Sequence, residues 1–200
     1  MNVALRPAVA PRSSLSSTPS SMSQTSSPKT AAPASVKAPT PTEKANVAVV
    51  DGFYSAFERK DGAAMAATYA PSATFSDPVF PDLKDGMPGA MWRMLCGNKE
   101  LRVRHEVVKA EGDVVVARWV ANYRFSKTGR DVENHVTSTL RLKDGKIVEQ
   151  HDAFDMRSWL RQAYGPATLI PFAEPVLTHV TRRAAASKLQ AFIDAGGTQP

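Results

Sequence analysis

The chain has 200 residues with 42% hydrophobic, 22% charged and 8% aromatic side chains, the composition of one ordinary globular domain. No apolar run approaches the roughly 20 residues that a membrane-spanning helix needs, and the single cysteine, Cys96, excludes an internal disulfide. Four scattered histidines and one thiol make no zinc-binding spacing, and no Gly-rich phosphate loop, GxSxG elbow or HExxH helix is present, so neither a metal nor a cofactor is expected.

The formal charge of +6 is unevenly spread. Residues 1–44 carry a net +4, residues 45–155 a net −1 and residues 156–200 a net +3. A nucleic-acid binder concentrates its positive charge on a folded reading surface; here the middle is nearly neutral, which argues against that partner.

Residues 1–44 hold seven of the 15 prolines and ten serines with few large apolar side chains. Such a segment cannot bury enough surface to offset chain entropy and reads as a disordered tail. Its serines, Arg6 and Arg12 also fit an organellar transit peptide, and a start at Met22 would leave only a short polar tail. A cytoplasmic location is the first expectation, with the organellar one as the alternative. A secretory signal is not expected, because Arg6, Pro7, Pro11 and Arg12 break any apolar core.

From Ala45, Val47, Val50, Phe53 or Tyr54, and Phe57 recur at helical spacing to about Lys60. Asp61 and Gly62 end that helix and start a second, predicted over Ala63–Ala70 and stopped by Pro71. A short strand is expected over Ala73–Asp77 and a small helix over Gly89–Cys96. The period then becomes two. Leu101, Val103, His105 and Val107 alternate with charged residues, and Val115, Ala117, Trp119, Ala121, Tyr123 and Phe125 form the inward row of the next strand. Strands over Val132–Leu142 and Ile147–Asp155 flank Lys143-Asp144-Gly145. That turn allows a two-residue or a three-residue loop. The three-residue loop pairs Val148 with Leu140, Gln150 with Ser138 and Asp152 with Val136, and it sends Asp152 to the packed side, whereas a one-residue slip would turn it out. A short helix around Trp159 and Leu160, a Gly165-Pro166 break and a helix opened by Pro175 complete the chain. Leu177, Val180, Ala184 and Phe192 are its expected apolar stripe, with Arg182, Arg183 and Lys188 facing away.

The order of these elements, with YAPSATFSDPVF (Tyr69–Phe80), YRFSKTG, RLKDGKIVEQHDAFD and SWLRQAYG, resembles the nuclear transport factor 2-like superfamily, and more particularly its bacterial SnoaL-like proteins. The resemblance covers roughly residues 45–160. It implies an α+β fold in which a cone-shaped curved antiparallel sheet wraps on N-terminal helices. The expected organisation is a tail over 1–44, the SnoaL-like domain over 45–164 and a C-terminal helical extension over 165–200. The superfamily holds ketosteroid isomerases, cyclases, hydrolases and noncatalytic modules, so the fold does not fix the function. In the isomerase, an Asp base works beside an oxyanion hole of Tyr and protonated Asp. Matching by position puts the base on Asp77 and the oxyanion positions on Phe53, with Tyr54 about 100° further round the helix, and on Ser138.

Asp77 is accordingly the first candidate, an extended residue before Pro78 that would serve as general base in an apolar cavity; the plain alternative is a carboxylate capping the turn. Asp152 is the second, against a salt bridge to Arg118 or Arg141. His105 would be a proton shuttle or ligand donor, or simply a core histidine. Tyr54, Trp92, Trp119, Tyr123 and Ser138 would line the ligand space, or in the case of the aromatics merely fill the core. His135 and His151 belong on the outer face, and Cys96 reads as an unactivated small apolar residue. Two functions stand: a cofactor-free enzyme of the isomerase, cyclase or hydrolase type acting on a small hydrophobic ligand, or a noncatalytic ligand-binding module. A homodimer through the open sheet face suits either.

Overall fold

The computed structural model describes residues 38–197. The readings of a disordered or targeting tail and of a start at Met22 concern residues outside that range, save for its last few positions. There the first helix, α1 (Pro41–Glu58), begins four residues earlier than expected. Thr40 accepts a hydrogen bond from the Glu43 amide at 3.2 Å while the Glu43 carboxylate accepts from the Thr40 amide at 2.6 Å. This reciprocal cap, with Pro41 in the first turn, satisfies donors that a helix start otherwise leaves open. Glu43 and Asn46 also bind the backbone N–H and C=O of Gly112, tying α1 to a distant hairpin.

Asp61 caps α2 (Gly62–Thr68) through the Ala64 amide. The second helix stops earlier than the sequence suggests, because β1 runs from Tyr69 to Ser76. Pro71 ends no helix; it lies inside an edge strand, where a missing N–H is tolerated. α3 (Met87–Cys96) packs closely on α2. A Cβ on Gly62 would sit 2.6 Å from the Arg93 Cα, and one on Gly89 would sit 3.0 Å from the Ala66 Cβ.

β2 (Arg102–Glu111), β3 (Val114–Phe125), β4 (Arg130–Lys143) and β5 (Lys146–Ala153) join β1 in one sheet ordered β1-β5-β4-β3-β2. Only β1 and β5 run parallel. The sheet buries Val115, Ala117, Leu140 and Ile147 against Val50, Phe53 and Phe57 of α1. The alternation expected for β3 is present, with Val115, Ala117, Trp119 and Ala121 buried.

The β4–β5 turn corrects the expected register. Lys143 pairs with Lys146, so the loop is the two-residue Asp144-Gly145, both at positive φ (52° and 72°), as a type I′ turn requires. Leu142 then pairs with Ile147 and Arg141 with Glu149, leaving Val148 as a bulge. The extra residue restores the inward phase, pairing Leu140 with Gln150 and Ser138 with Asp152. The residue partners therefore differ from the expected ones by two positions, while the face of Asp152 is the expected one.

α4 (Met156–Tyr164) follows, capped by Asp155. β4 outruns β5, and the Gln162 side chain bonds both the N–H and the C=O of Glu133 at 2.8 and 3.0 Å, standing in for a strand there. A 3-10 turn (Gly165–Leu169) leads to α5 (Ala173–Asp194). The buried side of α5 carries Thr181 and Leu189, with Leu177, Ala185 and Ile193 packed beside it. The expected stripe is thus rotated, and Val180 faces outward. Among the described residues no helix is long and apolar enough to cross a membrane.

Candidate functional site

The inward faces of α1, β1, α3, β3, β4 and β5 converge on one buried polar chain. The Tyr54 hydroxyl donates to Ser138 Oγ at 2.6 Å, and Trp119 Nε1 donates to the same oxygen at 2.8 Å. Ser138 in turn supports the Asp152 carboxylate, which also accepts from Gln150 Nε2 at 2.9 Å. The Gln150 amide reaches Tyr54 Oη at 3.3 Å, its carbonyl accepts from the Tyr69 hydroxyl, and Trp92 Nε1 donates to Tyr69 Oη at 2.8 Å. Among the described residues, no buried side-chain nitrogen or oxygen lacks a partner.

The helical turn between Phe53 and Tyr54 does not separate them from the interior, since α1 buries both. It is Tyr54, rather than Phe53, whose polar end meets Ser138. Phe53 packs edge-on against Trp92 at 5.5 Å between ring centres, and Trp92 and Trp119 lie 6.1 Å apart. These rings fill the space between α1 and the sheet.

Asp152 is 1% exposed. Burial raises its carboxyl to about 7 against the hydrogen bonds from Ser138 and Gln150, and the charge of Asp77 pushes the same way. The salt-bridge alternative does not apply: Arg141 pairs with Glu149 at 2.6 Å and Arg118 with Glu106 at 3.7 Å, both on the outer face. Burial likewise holds the Tyr54 and Tyr69 hydroxyls well above their ordinary range, with Asp152 contributing.

Asp77 lies just beyond β1. Its Oδ1 accepts from the Val79 and Phe80 amides at 2.6 and 2.5 Å, so it does cap the turn at Pro78. Burial nevertheless raises its carboxyl to about 6, opposed by those two amides and then by the charges of Arg182 and His151. Arg182 reaches this corner from α5, donating through Nε to the Pro78 carbonyl at 2.8 Å. Tyr123 accepts from Trp159 Nε1 at 2.7 Å, and its raised hydroxyl senses Asp77 after the larger effect of burial.

His105 stands apart from this chain. Its Nδ1 meets Glu58 at 2.7 Å and its Nε2 meets Asp51 at 3.4 Å, so it latches α1 to the edge strand β2 while one ring face lies 5.6 Å from Tyr54. His135 and His151 occupy the outer face, beside Glu133 and Ser76. Burial lifts the Cys96 thiol to about 11, which suits an inert side chain. Among the described residues no cluster of His, Cys, Asp or Glu is placed to hold a metal ion.

Three members of the constellation escape sequence reasoning. Tyr69 is hidden because the second helix, expected over Ala63–Ala70, runs past it. Gln150 has a signal, since it lies two residues before Asp152 on the same face. Arg182 is exposed as expected, but its reach to the Pro78 carbonyl from 104 residues away has no signal in the sequence. Of the candidate ligand-lining residues, Tyr123 borders a described depression, about 460 Å³ in volume, together with Arg102, Asn122 and Gln162.

Residues 50–150 match the SnoaL-like domain, and the chain belongs to that family. No curated protein matches it. Its fold is similar to an LEH-like epoxide hydrolase of M. tuberculosis at 18% identity and a TM-score of 0.50, over 66% of this chain and 99% of the other. It is also similar to a candidate polyketide cyclase of Xanthomonas campestris at 19% identity and 0.53, over 61% and 98%. A Burkholderia pseudomallei protein of unknown function, described as NTF2-like, gives 19% and 0.52 over 60% and 97%. At these identities the likeness is one of fold: an α+β cone with a curved sheet, to which this chain adds a C-terminal helix.

Proposed function

We propose that the protein is a cofactor-free enzyme that moves a proton on a small hydrophobic carbonyl compound, with Asp77 as the base and Asp152 as the partner that holds a proton. The observation that carries this reading is the pair of carboxylates that burial raises to about 6 and about 7, with the charge of Asp77 adding to the rise at Asp152. Near neutral pH, Asp77 is then mostly ionised and able to accept a proton, while Asp152 retains one much of the time. The Tyr54 hydroxyl donates to Ser138 Oγ and Ser138 bonds the Asp152 carboxyl, so this chain would hold Asp152 in a fixed orientation.

The test needs no knowledge of the natural substrate. A panel of flat hydrophobic ketones is incubated with the protein in D2O, and deuterium entering the position α to the carbonyl is followed by mass spectrometry. Wild type should catalyse the exchange with at least one compound, and Asp77→Asn should lose it by at least a hundredfold while remaining folded. Exchange that persists in Asp77→Asn would remove that residue from the role.

One observation favours a noncatalytic ligand-binding module instead. The polar chain is fully satisfied and closely packed with aromatic rings, as a structural core would be. Compounds that bind and raise the melting temperature without any exchange would support this second reading.

A further inference from the structure

The first two turns of α5 expose apolar side chains on the solvent side, ahead of the polar Arg183, Ser187, Gln190 and Asp194. Its buried side follows Leu177, Thr181, Ala185 and Leu189. At 100° per residue, Phe172, Val176 and Val180 line up on the opposite side, with His179 and Arg183 among them. Phe172 is 88% exposed, Val176 60% and Val180 43%, and the preceding turn adds Leu169 at 82% and Ile170 at 64%. Single exposed apolar residues are ordinary, but a contiguous set marks a contact surface. Phe172 also has a φ of 62°, an unfavourable conformation for a bulky residue, yet its ring gains no cover from it.

We infer that Leu169, Ile170, Phe172 and Val176 insert into the interface of an anionic lipid bilayer, with Arg183 and His179 lying against the headgroups. The patch protrudes from a turn and a helix start, the form that enters a bilayer surface rather than one that receives a ligand. Arg183 and His179 are exposed on the same side of the helix, and Glu174 is already neutralised by Arg157 at 2.9 Å. Other occupants fit less well. A second copy would bring like charge to like, and five side chains fall far short of the roughly 20 residues a side that a stable protein interface uses. The chain before Ala38 has no aromatic residue and a net +4, so it offers neither apolar bulk nor opposite charge.

The experiment is co-sedimentation of the full chain with vesicles of phosphatidylcholine alone and of phosphatidylcholine with 30% phosphatidylglycerol. Wild type should bind the anionic vesicles at least tenfold better than the neutral ones, and less at high salt. The double variant Ile170→Glu/Phe172→Glu should lose at least tenfold in affinity with helix content and melting temperature unchanged. Arg183→Glu, which leaves the apolar patch intact, should lose severalfold on anionic vesicles. Wild type that fails to sediment with them, or a double variant that binds equally well through the basic N-terminal segment, would overturn the inference. So would light scattering that shows a wild-type dimer dissociated by the double variant, since the patch would then serve a second copy.

Discussion

At the scale of residues, the energetics centre on carboxylates kept from water. A buried Asp with a raised pKa binds its proton more tightly in the native state than in the unfolded chain. Between pH about 4 and about 7, the native protein therefore holds more protons, and stability falls as pH rises through that window before levelling off. For Asp152, moved from an ordinary carboxylate value to about 7, the linked loss is on the order of 4 kcal/mol by pH 8. Asp77, raised to about 6, adds a smaller loss ending nearer that pH. Thermal melts from pH 4.5 to 8.5 should show wild type losing stability toward alkaline pH. Asp152→Asn, neutral throughout, should flatten that dependence and melt higher than wild type at pH 8. A wild type that gains stability from pH 5 to pH 8 would contradict the assignment. The inward direction of Asp152 is read from the sequence through a three-residue loop, whereas the strand reaches it through a two-residue turn and a bulge at Val148, which no sequence pattern marks. The hydrogen bond between Tyr54 and Ser138 is not legible there, since their 84-residue separation depends on how α1 is rotated against the sheet.

Among elements, the junction of α2 and α3 offers the least room. A methyl group on Gly62 would meet the Arg93 backbone at 2.6 Å, and backbone cannot swing aside as a long side chain can. Gly62→Ala should cost about 1 to 3 kcal/mol in chemical denaturation, more than its helix propensity would return. A Gly62→Ala protein as stable as wild type would mean the helices separate freely. At the start of α1, Thr40→Ala should cost about 1 kcal/mol by the same measurement, because the Glu43 amide loses its acceptor. This cap was written in the sequence as Thr-Pro-Thr-Glu, but the prolines and serines before it drew the expected tail four residues too far. Pro71 misled in a related way: it suits a helix stop or an edge strand, and only the pairing of β1 with β5 decides between them. Periodicity located most of the sheet strands well, because their inward residues all serve one core.

For the whole molecule, the curved sheet has helices within it and an outer face bearing exposed Thr137, Thr139, His151 and Arg118. We propose a homodimer through this face, which an antiparallel sheet covered on one side leaves open. Light scattering should give about twice the 21.6 kDa of one chain, and Thr137→Arg with Thr139→Arg should return a monomer. A monomeric wild type at high micromolar concentration would rule this assembly out. The bulge at Val148 bears on how such a chain can descend with changed length. Ile147 and Asp152 both point inward only because one residue between them is left out of the ladder. Loss of that codon would yield an unbulged strand with Ile147, Gln150 and Asp152 still inward, whereas gain of a codon at Gln150 would turn the carboxylate into solvent. Related genes can therefore shorten here without moving the carboxylate, and a relative lacking the position equivalent to Val148 would keep its interior chemistry.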